Sequence, residues 1–481
     1  MSPNEDNKMP SPQSDPGVDS AQNLDPEVAE WRKESGFDKK IVPSWMIKVP
    51  HDGQRYSVPE ENDSLSNGRP WEGLHPHWEE YKPAVSALCR TIWPFLSPDK
   101  ISAEHLSFGG NNRVTAVTLK LPGQSGIEKS FVIRTPLLDD DPVDVHLACH
   151  RLVEQYLRIP TARIIKADLG TANQLGSPYL LQRRAQGINL NEYPFLAHDE
   201  KLKIARELGL VYRKLLDVRW KFPGKPTMGP RENDTVETAI HVAKYDPAHC
   251  PDKSDEDHTG KGVPFKPLSG RVVLSEIQNL YEFMKSRIEA QKAHYIANPS
   301  EQAQNRDVIY YDCMLVMLED LKSGGWLDDP VPYSLMHGDL QPRNLIYNKD
   351  SKGACLTVID WDQAEFAPSF MGCAPPMWLW APSKLDYSKA GPDAEIVRVE
   401  DPRGRLTPDN IPAIQIKKAF EDAAGREYKR LANDPAYRLA RRQYWFVIEG
   451  AVMTPTRVSK ECLLMLAEWS ETRDELEKPN E

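Results

Sequence analysis

The tightest constraint on this chain lies between Tyr333 and Asp362. There an apolar run, Tyr333 to Met336, meets His337-Gly338-Asp339, and Asn344 follows five residues after the aspartate. A short apolar run from Leu345 to Tyr347 reads as a strand, and Asn348 to Gly353 carries turn chemistry. A second β-rich run, Cys355 to Ile359, then delivers Asp360. Two strands joined by a turn bring Asp339, Asn344 and Asp360 to one end of a hairpin. As ordinary structure, the same residues make a polar hairpin with a capping carboxylate.

Such a convergence has a chemical use. Phosphoryl transfer needs a carboxylate that accepts or orients the acceptor's hydroxyl proton, and it needs hard oxygen ligands for Mg²⁺. Asp339 suits the first task. Asn344 and Asp360 suit the second, with the phosphates of ATP and water completing the shell. His337 is expected to brace the loop by hydrogen bonding. The Asp-x-x-x-x-Asn spacing matches the kinase catalytic loop, with a strand-end aspartate in place of the Asp-Phe-Gly element.

With His337-Gly338-Asp339-Leu340, Asn344 and then Ile359-Asp360-Trp361-Asp362, the stretch resembles the catalytic core of the aminoglycoside phosphotransferase family. The Ile-Asp-Trp-Asp pattern resembles that of divergent, fungal-type members of the family. The resemblance implies an α+β, bilobal, protein-kinase-like fold. A small N-lobe would carry an antiparallel sheet and one main helix, and a mostly helical C-lobe would carry the catalytic hairpin. ATP and Mg²⁺ would sit between them.

Other stretches extend the resemblance over roughly residues 80 to 460. Gly109-Gly110-Asn111-Asn112 precedes two β-rich runs, Arg113 to Leu121 and Lys129 to Thr135. In the kinase-like reading it is the loop covering the nucleotide, although Gly-Gly-Asn-Asn is by itself a common turn. Phe131-Val132-Ile133-Arg134 resembles the Val-Ala-Ile-Lys strand with Arg134 as the phosphate cation, and a guanidinium can grip phosphate bidentately. The family usually supplies a partner Glu from the next helix, Asp144 to Leu157. Here His150 holds that position, and Glu154, one turn on, could substitute. Ser177 to Gln182 matches the strand entering the interlobe hinge. Gln182, Arg183 and Arg184 would then offer backbone groups to adenine, their two guanidinium groups reading as a solvated pair.

The rest organises around this frame. Residues 1–40 form a Pro-, Asp- and Ser-rich tail expected to be disordered, and 41–80 an irregular arm. An N-lobe at 81–184 and a C-lobe at 185–476 follow, with a polar insertion at about 229–270. A helix is expected from Lys82, with Pro83 in its first position and Pro94 ending it. Another is expected over 199–218, capped by Asp199. Val273, Ile277, Leu280, Met284 and Ile288 repeat at helical spacing, as do Ile309, Cys313, Met317 and Leu321. Residues 383–412 read as loop, with helices at 413–432, 435–453 and 458–476. His249, Cys250 and His258 match no standard metal spacing. Phe366, Phe370, Trp378 and Trp380 read either as packing under the catalytic loop or as an aromatic wall by the acceptor. Asp362 and Glu365 read as amine-recognising or solvated acids.

Composition sets outer bounds. A net charge of −11 over 481 residues disfavours a nucleic-acid partner. Seven scattered cysteines without a Cys-x-x-Cys pair fit reduced thiols. There is no long apolar run and no basic-then-apolar start, so neither a membrane partner nor secretion is expected, and the expected compartment is the cytoplasm. The sequence predicts an ATP- and Mg²⁺-dependent phosphotransferase acting on a small-molecule hydroxyl, with oligomeric state open. The alternatives are a non-catalytic binding protein on the same fold, or a protein kinase. Gln341 and Asp360-Trp361-Asp362 stand against the last.

Overall fold

The computed structural model describes residues 76–449 apart from 109–111, 122–127, 138–142, 230–239, 247–262, 267, 269–273, 298–305, 352, 381–407 and 409, together with 465, 466 and 468–470. The chain divides into two compact units, Met1–Gly53 and Gln54–Glu481, and every described residue belongs to the second. The expected tail, most of the expected arm, Gly109 to Asn111, His249, Cys250 and His258 lie outside the described residues. So does most of the expected last helix.

The described part is a bilobal α+β structure. It opens on α1 (Trp78–Ile92), whose buried stripe is Tyr81, Val85, Leu88 and Cys89. The helix starts one turn earlier than Lys82. Glu79 and Glu80 favour its positive end, and Tyr81 extends the apolar stripe backwards, so Pro83 lies inside the helix. Strands β1 (Ile101–Phe108), β2 (Asn112–Lys120) and β3 (Glu128–Pro136) form a meander, and β3 alternates between buried and more exposed positions. Helix α2 (Val143–Leu152) ends in a single π turn, Val153–Leu157, and β4 (Ile164–Asp168) and β5 (Tyr179–Arg183) complete an antiparallel sheet in the order β1-β2-β3-β5-β4. Val85, Leu88 and Cys89 of α1 pack on Val117, Phe131, Ile133 and Leu181 to form the core of this lobe.

The second lobe begins at β6 (Ile188–Asn189) and α3 (His198–Asp217). Ile204, Ala205, Leu208, Val211, Tyr212, Leu215 and Leu216 give α3 its buried stripe. Its cap is Ala197 rather than Asp199, and Glu200 reaches back to accept the Ala197 amide at 3.2 Å. Next come β7 (Arg219–Trp220), β8 (Gly224–Met228), β9 (Ile240–Lys244) and β10 (Val263–Pro264). The expected polar insertion is therefore anchored by strands, with Ile240, Val242, Ala243, Tyr245 and Phe265 buried. Met228 at the end of β8 packs against Val143 and Leu147 of α2 and Leu180 of β5, so this hairpin touches the first lobe.

Helices α4 (Leu280–Ala297) and α5 (Arg306–Ser323) follow. Leu280, Met284 and Ile288 are buried as expected, but Ile277 precedes the helix and Val273 is outside the described residues. Strands β11 (Tyr333–Met336), β12 (Leu345–Tyr347), β13 (Leu356–Val358) and β14 (Glu365–Pro368) carry the central motifs. β14 and β11 join a sheet ordered β10-β9-β8-β14-β11-β7, while β12 lies between β13 and β6. Helices α6 (Ile411–Asn433) and α7 (Pro435–Glu449) follow. Gly209 lets α6 approach α3 closely, since a Cβ there would come within 2.4 Å of the Phe420 carbonyl oxygen. Phe366, Phe370, Trp378 and Trp380 are all buried, and Trp380 packs on Phe420 at 6.0 Å. They are packing, and no aromatic wall stands exposed at these positions. No helix among the described residues is long and apolar enough to cross a membrane.

Candidate active site

The site is built from two short loops. Strand β11, buried in its sheet, leads into His337, which is 2% exposed. The His337 Nε2–H donates to the Ile359 carbonyl at 3.0 Å, while Nδ1 accepts the Asp339 amide at 3.3 Å. Its ring lies 4.5 Å from that of Trp361. Burial lowers the pKa of His337, more than the nearby Asp360, Asp339 and Asp362 raise it. A neutral ring with both nitrogens committed to the backbone is a brace. Gly338 beside it has φ +79°, and a Cβ there would meet the Gln363 carbonyl oxygen at 2.4 Å. The first loop thus rests directly on the turn after Asp360.

Asp339 accepts from Arg343 Nη2 at 2.6 Å on one oxygen and from Asn344 Nδ2 at 2.7 Å on the other. Asn344 Nδ2 also reaches the Asp339 carbonyl at 2.8 Å. Strands β12 and β13 pair from Leu345↔Val358 to Tyr347↔Leu356, and the Ile359 amide donates to the Asn344 carbonyl at 2.9 Å. Asn344 and Asp360 therefore stand at the same end of the hairpin. At its other end Glu207 of α3 accepts the Cys355 amide at 2.8 Å and the Leu356 amide at 2.8 Å. Asp360 itself has φ +65°, unusual for a residue with a side chain. Trp361, fully buried, donates to Thr161 Oγ1 at 2.9 Å and fixes the turn that follows.

The donor set fits a hard divalent cation. Asn344 spends its amide nitrogen on Asp339, which leaves its carbonyl oxygen to coordinate. Asp360 gives Oδ1 to Arg134 at 2.8 Å, keeps Oδ2, and is 41% exposed. Among the described residues no group of three or more His, Cys, Asp or Glu converges as a metal centre of another kind.

Arg134 corrects an expectation. Neither His150 nor Glu154 carries its counter-charge. Its Nη2 donates to Asp360 and to Asp362 Oδ2, a side chain 7% exposed. Burial opposes the Arg134 charge, but Asp362 and then Asp360 more than offset it, and its pKa is raised. Glu154 lies instead by Arg163 and Arg151, and burial raises its pKa. His150 is buried against Gln182, Nε2 to Nε2 at 3.2 Å, and its pKa is pushed down to about 3, first by burial and then by Arg134. Asp362 is no solvated acid, and neither is Glu365, which is buried and accepts from the Tyr245 hydroxyl.

The remaining expected cofactor residues divide. Asn112 is buried at the start of β2 and donates to Asp362 Oδ2 at 3.0 Å. Gln182 faces inward on β5. The Arg183 amide donates to the Arg163 carbonyl at 2.8 Å and the Arg184 amide to the Ser130 carbonyl at 3.0 Å, so neither N–H is left for a base. The Arg184 guanidinium lies 3.6 Å from Glu104. Sequence reasoning missed the role of Asp362 as the counter-charge of Arg134, and missed His146, whose Nδ1 lies 3.6 Å from Asp362 Oδ1. The one available signal for Asp362 was an acid two residues beyond the metal-type aspartate.

Residues 129–370, about half of the chain, match the model of the phosphotransferase enzyme family, APH. Solved structures are also similar. Aminoglycoside phosphotransferase APH(4)-Ia has 14% identity over 80% of this chain and 99% of its own, with a TM-score of 0.42. ADP-bound aminoglycoside phosphotransferase APH(2'')-Ib has 12% identity over 80% and 98%, with a TM-score of 0.42. Aminoglycoside 2'-phosphotransferase-IIIa, solved with GDP, has 14% identity over 81% and 99%, with a TM-score of 0.40. No curated protein matches the sequence.

Proposed function

This chain belongs to the phosphotransferase enzyme family, and from that premise we propose that it transfers the γ-phosphoryl group of ATP, in the presence of Mg²⁺, to a hydroxyl of a small molecule. The observation that carries the reading is the gathering of Asp339, Asn344 and Asp360, tied together by Asn344 on Asp339 at 2.7 Å and by His337 on Ile359 at 3.0 Å. Asp339 orients the acceptor hydroxyl and takes its proton. Asn344 and Asp360 would hold the cation, which would supply charge neutralisation to the phosphoryl group. Arg134 offers its remaining N–H groups to the phosphates. Most of the acceleration then comes from placement and charge complementarity.

The same reading sets the N-lobe at 81–184 and the C-lobe at 185–476, and it takes the Ile359 to Asp362 pattern as that of a divergent, fungal-type member. Cys89, Cys149, Cys355 and Cys373 are buried thiols outside any disulfide, which supports a cytoplasmic setting. The missing helix acid favoured a non-catalytic protein, but Asp362 supplies Arg134 with a counter-charge.

The test is a panel of hydroxyl-bearing metabolites with Mg²⁺ and ATP, read as ADP release. Asp339→Asn is expected to lower turnover by about 10²–10⁴-fold while ATP affinity stays near that of the wild type. If the wild-type protein neither phosphorylates any acceptor nor hydrolyses ATP slowly, the proposal fails.

A further inference from the structure

Arg134 is gripped from one end. Its Nη2 takes both carboxylates, and among the described residues Nε and Nη1 have no hydrogen-bond partner, while a tenth of the side chain is exposed. Asp360 and Asp362 differ in what they can still do. Asp360 is 41% exposed and has an oxygen to give. Asp362 is enclosed, and it is surrounded by Arg134, Asn112 Nδ2 at 3.0 Å and His146 Nδ1 at 3.6 Å. A carboxylate whose Oδ2 accepts from both Arg134 and Asn112, with the His146 ring beside its other oxygen, is an anchor.

We infer that Asp362 is the positioning residue for Arg134, holding one edge of the guanidinium so that the other edge is presented to the nucleotide's phosphates. The inference rests on the phosphotransferase reading and deepens it. A cation held by two fixed acids loses little rotamer freedom when phosphate arrives, which is what a bidentate grip needs. It also fastens the phosphate grip to the turn that carries Asp360. On the α2 side stands His150, bonded to Gln182 at 3.2 Å. Gln182 pairs with Val132, and Arg134 lies two residues along β3 on the same face, so a carboxylate at position 150 would look toward the guanidinium.

Calorimetry on the full chain with Mg²⁺ tests this, using β,γ-imido-ATP and adenosine as probes. Asp362→Asn is expected to lose about 10–100-fold in triphosphate affinity and none in adenosine affinity. Adding His150→Glu is expected to restore most of the loss. An Asp362→Asn variant that keeps the wild-type preference for triphosphate, or loses both ligands equally, overturns the assignment. So does a folded double variant without recovery. If Asp362→Asn does not fold, the nucleotide-free wild-type protein carries the test through ¹⁵N spectra of arginine side chains, with Arg134 assigned by Arg134→Lys. A guanidinium in slow rotation supports the anchor, and a freely rotating one refutes it. Wild-type protein that binds neither probe overturns the phosphotransferase reading together with this inference, which separates the two failures.

Discussion

Three glycines separate the cost of backbone strain from the cost of a lost approach at the site. Gly353 has open space around it, and its φ is unremarkable. Gly176 has φ +66° with nothing within 4 Å, so an added methyl meets strain alone. Gly338 has φ +79° and also the Gln363 carbonyl oxygen at 2.4 Å and the Gln363 Cβ at 2.8 Å. Gly353→Ala is therefore expected to leave stability within about 0.5 kcal/mol of wild type. Gly176→Ala is expected to cost about 1–2 kcal/mol, the penalty of a side chain in the left-handed region. Gly338→Ala adds an overpacking term of about 1–3 kcal/mol, giving about 2–5 kcal/mol in all. Ordinary contact begins near 3.4 Å, so relieving the 2.4 Å approach moves the Asp339 loop away from the Asp360 turn by about 1 Å. A displacement of that size at reacting groups costs about 100-fold in rate. Denaturant titration gives the three stabilities, and ADP release gives the rates. Gly176→Ala should slow nothing, and Gly338→Ala should lose turnover far beyond its share of unfolded protein. Turnover of Gly338→Ala within a few fold of wild type would refute the idea that contact between the two loops sets their spacing.

Two further outcomes follow from buried charge. His150, with its pKa at about 3, stays neutral in the folded protein, while in the unfolded chain it takes a proton below about pH 6.5. Stability from this group is complete above that pH and is lost as pH falls, reaching a loss of about 3 kcal/mol by pH 4.5. His150→Gln should flatten the dependence between pH 6.5 and 4.5 in denaturant titrations, and an unchanged slope would count against a neutral buried ring. Glu207 accepts the Cys355 and Leu356 amides at the far end of the catalytic hairpin. Glu207→Ala should cost about 1.5–3 kcal/mol. Amide exchange should speed up along β12 and β13, and unchanged protection there would refute the capping role.

Three of the five strands of the first-lobe sheet, β2, β3 and β5, were legible as β-rich runs, whereas β1 and β4 were not. The expected run Arg113 to Leu121 differs by one residue from β2, and Lys129 to Thr135 falls within β3. The catalytic hairpin was legible because each polar motif follows an apolar run. Two kinds of feature were hidden. The counter-charge of Arg134 comes from residues 226 and 228 positions away, a pairing that local pattern cannot encode. The strands β9 and β10 sit beside polar stretches whose composition masks five buried side chains. α1 begins one turn before Lys82 because its acidic first turn and buried Tyr81 outweigh the preference of proline for a first helical position.

The seat of Met228 on α2 and β5 bears on how a bound nucleotide could leave. A cleft joined only through residues 184–187 would swing like a door on one pin. Here the β8 hairpin supplies a second pin, greased by hydrocarbon. Parting the halves at that point would wet Val143, Leu147, Leu180 and Met228 together, so an opening that spares this seat costs less than one that breaks it.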